Sequence, residues 1–167
     1  MLAWLDAECD PGLTLRIEAS PAGIRTVAFH PVPLPPNDPS QCHPLLREAV
    51  RQLRAYFSGG LRSFTLPLDL RGTPFQLRVW HELETIPFGQ FRSYAQIAQA
   101  IGAPKAVRPV GAANGANPVA IVVPCHRVIG SNGKLTGYGG GLPLKKRLLE
   151  LESCALPLFQ QASEDSC

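Results

Sequence analysis

Two capping signatures constrain the second half of this chain more tightly than any other feature. Thr73-Pro74-Phe75-Gln76 sets a hydroxyl at the N-cap, a proline at the first helical position and a glutamine at the third, and Ser93-Tyr94-Ala95-Gln96 repeats the hydroxyl and glutamine spacing. In such a box the hydroxyl accepts from the backbone N–H three residues on, while the glutamine reaches back to the capping N–H, so each marks a helix start. The first helix would turn Phe75, Val79, Trp80 and Leu83 toward a core. Pro87-Phe88-Gly89 then turns the chain, a second helix is predicted from Tyr94 to Ile101, Gly102 breaks it, and Pro104 opens a third. Short helix, tight turn, second helix is the spacing of a helix-turn-helix.

The helix predicted from Pro104 is lined with Ala106, Gly111, Ala112, Ala113, Gly115 and Ala116. Glycine in a helix interior costs up to about 1 kcal/mol relative to alanine, so small size there has a use. Close packing of helices is one use, and close approach of a helix backbone to DNA is another.

Beyond that helix the apolar run Ile121-Val122-Val123 leads into Pro124-Cys125-His126-Arg127-Val128. A cysteine is a good nucleophile only as thiolate, and an adjacent imidazole is one of the groups that lowers its pKa from about 8.5. Free cysteine is also among the most buried residue types, and inert packing is the alternative. Neighbours on an extended strand point to opposite faces, so His126 reaches the Cys125 sulfur only through a turn or an intervening water.

The first half has a different pattern. Leu13-Thr14-Leu15-Arg16-Ile17 alternates like a half-buried strand, and Gly23 to His30 is its hairpin partner across Ser20-Pro21-Ala22-Gly23. A proline-rich loop, Pro31 to Pro39, precedes a helix from Pro44 to Phe57 on which Leu45, Leu46, Ala49, Val50, Leu53 and Phe57 recur at helical spacing. The expectation is a small α/β domain over 1–72, a mainly helical domain over 73–152 and a tail over 153–167. His30 and His43 flank the loop and are read as surface residues.

Charge separates the two halves. Lys and Arg against Asp and Glu number 7 against 7 over 1–72, 9 against 4 over 73–152 and 0 against 2 beyond. The excess lies where the motifs lie, as on a surface that meets phosphates, and its modest size points to salt-sensitive binding rather than a polycation. The five cysteines, Cys9, Cys42, Cys125, Cys154 and Cys167, are odd in number and scattered, which fits a reducing compartment and no disulfide framework. Met1 to Asp10 carries acids and neither a basic flank nor an apolar segment, so it is read as neither a signal peptide nor a membrane anchor, and a cytoplasmic location is expected.

From about Thr73 to Glu152 the chain closely resembles the O6-alkylguanine-DNA alkyltransferases. The likeness rests on Ser93-Tyr94-Ala95-Gln96-Ile97-Ala98, Pro104-Lys105-Ala106-Val107-Arg108, the run Gly111 to Pro118, the segment Pro124 to Val128, Gly137-Tyr138-Gly139-Gly140-Gly141 and a closing helix to Glu152. Ahead of Thr73 only the layout is similar. The resemblance implies a ribonuclease H-like α/β N-terminal domain and a winged helix-turn-helix C-terminal domain. It implies irreversible, single-turnover transfer of an alkyl group from O6-alkylguanine, and from O4-alkylthymine, in double-stranded DNA to Cys125, by a monomer with no cofactor.

The alkylated base lies inside the stack and must be rotated out before a thiolate can reach it. By the resemblance, Arg108 fills the gap left behind, and Ala106, Ala113, Asn114 and Gly115 belong to a helix that enters the minor groove. Tyr94 rotates a phosphate and donates to guanine N3. Glu152 orients His126 and favours its charged form, and His126 reaches Cys125 through a water. Asn117 braces the turn that carries the cysteine. The Cys125 and Val128 carbonyls read the guanine amino group, and Pro124, Tyr138, Gly139 and Gly140 wall the pocket with Lys145 nearby. Some relatives have serine where Gly139 stands, so only a backbone donor is expected there. Some also carry a structural zinc in the first domain, but two of its ligand positions align with Ser20 and Arg25, and no metal is expected. Three other readings compete. A lesion-binding relative without transfer usually lacks the cysteine, a winged-helix regulator has no need of the Cys125 to Glu152 constellation, and a cysteine hydrolase would turn over repeatedly.

Overall fold

A computed structural model of the chain describes residues 3–29 and 43–152, with side chains of the first strand described from Asp6 onward. His30, the proline-rich loop, Cys42, Cys154, Cys167 and the tail lie outside the described residues. Two compact units emerge, one of residues 1–77 with 116–123, the other of 78–115 with 124–167.

In the first unit three antiparallel strands, β1 (Ala3–Asp10), β2 (Leu13–Ser20) and β3 (Gly23–Phe29), lie in the order β1-β2-β3. Alternation buries Leu15, Ile17 and Ala19 on one face of β2. Helix α1 (Pro44–Phe57) packs on all three strands and buries Leu46, Ala49, Val50 and Leu53. Each such side chain withdrawn from water contributes roughly 1.5–3 kcal/mol. His43 is exposed, as expected, and its Nδ1 caps the helix by accepting from the Leu45 N–H. Strand β1 is an addition to the expected pair. Its acids Asp6, Glu8 and Asp10 mask a period-two pattern in which Ala7 and Cys9 alternate with them, and Cys9 is buried. Burial pushes the Cys9 thiol up to about 11, which marks it as an inert packing residue.

The far side of β3 is covered by the chain itself, through bridges from Ile24 to Leu68 and from Val27 to Val119. The approach is close enough that a Cβ on Gly23 would lie 2.6 Å from the Pro67 carbonyl oxygen, so only glycine fits. At the positions aligned with zinc ligands, Ser20 Oγ donates to Asp69 Oδ2 at 2.7 Å and Arg25 stands 3.7 Å from the same oxygen. A hydroxyl and a guanidinium there do not suit a metal.

The segment 116–123 closes on itself. Asn117 Oδ1 accepts from the Val119 N–H at 3.0 Å while its Nδ2 donates to the Val123 carbonyl at 2.8 Å. Between them Ile121, fully buried, adopts φ +72, and the Val122 N–H bonds the Ala120 carbonyl. That is a γ-turn of the rarer, strained kind, held by a β-branched residue.

Helix α2 (Pro74–Glu84), whose first turn belongs to the first unit, leads in the second to the short strand β4 (Arg92–Ser93), α3 (Tyr94–Ala100), α4 (Val107–Gly115), β5 (Val128–Ile129) and α5 (Leu142–Glu152). Both capping boxes form, at Thr73 with Gln76 and at Ser93 with Gln96. Val79, Trp80 and Leu83 are buried and Phe75 is half-buried, and Trp80 Nε1 donates to the Ala113 carbonyl at 2.8 Å, pinning α2 to α4. Gly102 ends the α3 segment at φ +73. The helix expected from Pro104 begins at Val107 instead, after a turn closed by the Ala106 N–H on the Ala103 carbonyl. Pro109 accounts for the delay. A start at Pro104 would put it in a helix interior, where it removes a bond and clashes with the preceding turn, whereas a start at Val107 leaves it in the first turn. Among the described residues no helix is long and apolar enough to cross a membrane.

Candidate active site and its relatives

Cys125, His126 and Arg127 form one turn of 3-10 helix after Pro124, with the Arg127 N–H on the Pro124 carbonyl and the Val128 N–H on the Cys125 carbonyl. The turn removes the strand geometry that would have set thiol and imidazole on opposite faces. Cys125 is 5% exposed and His126 wholly buried.

Glu152 closes α5, at the end where the helix dipole disfavours a carboxylate, and is met there by an imidazole and a guanidinium. His126 Nε2 donates to Glu152 Oε1 at 2.7 Å, and Arg127 grips both oxygens, Nε on Oε2 at 2.8 Å and Nη2 on Oε1 at 2.9 Å. Arg127 also donates to the Ile86 carbonyl, its guanidinium lies 5.9 Å from the centre of the Phe88 ring, and the Gly89 N–H reaches Glu152 Oε2 at 3.4 Å. Burial pushes the Glu152 carboxyl up, but hydrogen bonds from His126 and Arg127 outweigh it and hold the group at about 2. Burial pushes His126 below its ordinary value, and the Glu152 hydrogen bond only partly opposes this. The imidazole is therefore neutral at pH 7, and the bidentate arginine is the cation that keeps Glu152 ionised. Glu152 pulls the imidazole toward its charged form, and burial outweighs that pull.

Arg127 is the residue that sequence reasoning passed over. Its signal is one arginine inside the run Val119 to Ile129, whose members are otherwise apolar except for His126. An arginine in such company must have a carboxylate.

Lys145 is fully buried, with Nζ donating to the Thr136 carbonyl at 2.9 Å and standing 3.5 Å from the Tyr94 hydroxyl. Burial lowers it to about 8, while Cys125 acts electrostatically in the opposite sense. Tyr94, at the first turn of α3, donates its hydroxyl to the Thr136 carbonyl at 3.4 Å. Lys145, Tyr94, Cys125, His126 and Glu152 are thus joined by direct bonds or by field. Pro124 and Val128 are buried beside the cysteine, Tyr138 and Gly140 are half-buried, and Gly139 is exposed with no atom within 4 Å of where a Cβ would stand.

Helix α4 does not present all its expected residues outward. Ala113 and Asn114 are each 3% exposed and share the buried stripe with Val110. Arg108, Ala112 and Gly115 recur at i, i+4 and i+7 and are exposed, while Ala106 precedes the helix and is half-buried. The outward face is therefore the line Arg108, Ala112, Gly115, and Asn114 turns inward to the Cys125 carbonyl at 3.3 Å. Gly111 lies against the Tyr94 ring, which would stand 3.9 Å from a Cβ at that position, so its smallness serves packing, whereas Gly115 faces open space.

Two family signatures run along the chain in order: the ribonuclease-like domain of 6-O-methylguanine DNA methyltransferase over 15–70 and the DNA-binding domain of the same proteins over 74–154. A methylated-DNA–protein-cysteine methyltransferase of Mycobacterium bovis is 64% identical over 109 residues, 65% of this chain and 66% of its own length. The crystal structure of the Mycobacterium tuberculosis O6-methylguanine methyltransferase superimposes with a TM-score of 0.80 at 47% identity, over 94% of this chain and 96% of that one. The M. tuberculosis protein in complex with DNA matches with a TM-score of 0.77 at 46% identity, over 95% and 98% of the two chains. An N-terminal ribonuclease-like domain, a C-terminal DNA-binding domain and near full-length similarity to solved relatives together place the chain in the O6-methylguanine DNA methyltransferase family.

Proposed function

We propose that this protein repairs DNA by direct, irreversible transfer of an alkyl group from O6-alkylguanine, and from O4-alkylthymine, to Cys125. The observation that carries the reading is the thiol at the head of a buried turn whose next two residues, His126 and Arg127, are locked to Glu152. A neutral imidazole is a base. His126 takes the thiol proton through a water, the sulfur attacks the alkyl carbon, the carbon–oxygen bond breaks, and its electrons leave on guanine O6. Tyr94 donates to guanine N3 as charge builds there, with Lys145 behind it. The Cys125 and Val128 carbonyls lie toward the guanine amino group, Pro124, Tyr138, Gly139 and Gly140 line the pocket, and Asn117 holds the loop that ends at Val123. A thioether is not hydrolysed back, so each molecule acts once and needs no cofactor.

The substrate is duplex DNA, bound by a monomer in the cytoplasm. In this reading residues 1–72 form a ribonuclease H-like domain, and 73–152 a winged helix-turn-helix in which α3 and α4 are the paired helices. The small exposed face of α4 approaches the minor groove, and Arg108 enters the stack when the lesion leaves it.

Intact mass after incubation with a methylated oligonucleotide tests the reaction. One added methyl per protein, mapped to Cys125, is expected, and Cys125→Ala should abolish it while leaving DNA binding intact. Label on another cysteine, or repeated turnover, overturns the mechanism. Arg108→Ala should slow repair of duplex lesions strongly yet hardly change reaction with free O6-benzylguanine, which has no stack to leave. Equal losses on both would remove Arg108 from the stack.

A further inference from the structure

Asn114 is the polar member of the buried stripe of α4, 3% exposed. Its Nδ2 donates to the Cys125 carbonyl at 3.3 Å, and that oxygen also accepts from the Val128 backbone N–H. A carbonyl accepts and never donates, so the bond fixes which end of the amide faces Cys125. The other end, Oδ1, is buried and accepts no hydrogen bond among the described residues. An acceptor buried without a partner costs stability, and a leucine of similar size would not incur that cost. The amide at this position is explained by its N–H alone.

A carbonyl oxygen has two lone pairs, and here both are engaged before any base arrives. This bears on how the pocket tells one base from another. A site rejects an analogue lacking a donor chiefly because the group built to meet that donor is left buried and unpaired. With Asn114 present, a base that lacks the 2-amino group leaves the Cys125 carbonyl still satisfied.

We propose that Asn114 is a specificity-determining residue: by capping the Cys125 carbonyl it removes the penalty for bases without a 2-amino group and so admits O4-alkylthymine and alkylated hypoxanthine alongside O6-alkylguanine. The inference rests on the proposed transfer to Cys125 and concerns the range of its substrates. Asn114 acts through the Cys125 backbone and does not touch the reacting atoms.

The test compares Asn114→Leu with the wild type on two free bases, O6-benzylguanine and O6-benzylhypoxanthine, which differ only by the amino group. Alkylation of Cys125 by iodoacetamide reports separately on the thiol. In Asn114→Leu the Cys125 carbonyl keeps the Val128 N–H and loses one of its two partners, so the guanine-to-hypoxanthine rate ratio should rise about five-fold, the order of one net hydrogen bond. The rise should come mainly from the slower hypoxanthine reaction, with iodoacetamide reactivity and Tm unchanged or Tm raised. Asn114→Asp, of the same shape but without the donor, should shift the ratio the same way. In duplexes, O4-methylthymine repair should fall more than O6-methylguanine repair. A ratio within two-fold of wild type in both variants overturns the inference. So do equal losses on both bases together with a lower Tm, which would make Asn114 a packing residue. Absence of any label on Cys125 in the wild type would bring down the reaction and the inference with it, whereas label with an unchanged ratio brings down the inference alone.

Discussion

Each unit contains a carboxylate held by arginine together with a neutral hydrogen-bond donor, and the two clusters behave as opposites. In the first unit Asp69 meets Ser20 at 2.7 Å, Arg71 at 3.3 Å and Arg25 at 3.7 Å, and the Arg71 side chain is 69% exposed. The Ser20 hydrogen bond, followed by that of Arg71, holds the Asp69 carboxyl below its ordinary value. In the second unit Glu152 meets His126 and Arg127 with side-chain exposures of 0%, 1% and 8% for histidine, glutamate and arginine. Chemically the sets are near relatives. Water is what differs: it stands ready to replace the exposed Arg71 at Asp69, and nothing replaces a partner of Glu152.

The largest expected effect follows from removing one member of the dry cluster. Arg127→Met leaves Glu152 buried without its bidentate cation and should cost about 3–5 kcal/mol in urea unfolding at pH 7. A loss under about 1 kcal/mol would mean water reaches Glu152 after all.

Acid probes the same cluster without mutation. The Glu152 carboxyl is depressed to about 2 from its usual 4.5, so its contribution is complete above pH 4.5 and drains away as pH falls toward 2. Linkage puts the loss at up to about 3 kcal/mol. His126, also depressed, acts in the same direction from pH 6.5 downward. Urea midpoints measured against pH should fall through this window in the wild type and flatten in Glu152→Gln, whose transfer rate should also drop. A parallel decline in both proteins would assign the acid sensitivity elsewhere.

Glycine separates the units a second way. Gly23→Ala would force a Cβ against the Pro67 carbonyl and should destabilise by about 1–3 kcal/mol, whereas Gly115→Ala meets no atom within 4 Å and should stabilise by under about 1 kcal/mol. If α4 approaches DNA closely, that more stable variant binds duplex more weakly, and titration of labelled duplex decides it. Unchanged affinity would reduce the small face of α4 to helix packing. The smallest effect is expected from Asp69→Asn, whose thermal midpoint should scarcely move. A large fall would erase the contrast between the clusters.

Much of this architecture is legible in residue order because it is local. A capping box needs only four residues, so the starts at Thr73 and Ser93 are plain, and the Cys125-His126 pair announces itself. Arg127 is hidden because its partner is 25 residues away and its own burial is a tertiary fact. Strand β1 is hidden because three acids at alternate positions look like a polar terminus. The late start of α4 turns on a competition that Pro109 decides, since Pro104 alone is a good first residue. Asn114 is expected at the DNA interface by resemblance alone, whereas Val110, Ala113 and Asn114, at i, i+3 and i+4, form the inward stripe.

The segment 116–123 has a consequence for the separability of the halves. The chain leaves the second unit after Gly115, contributes Val119 to the open side of β3, and returns at Pro124 just before the nucleophile. A fragment beginning at Thr73 would contain every motif of the reactive site yet strand Val119, fully buried in the whole protein, without the strand it bridges. It would carry its chemistry intact and its solubility impaired. The halves are two in their packing and one in their inheritance, since recombination at the obvious boundary would divide a strand bridge rather than a linker.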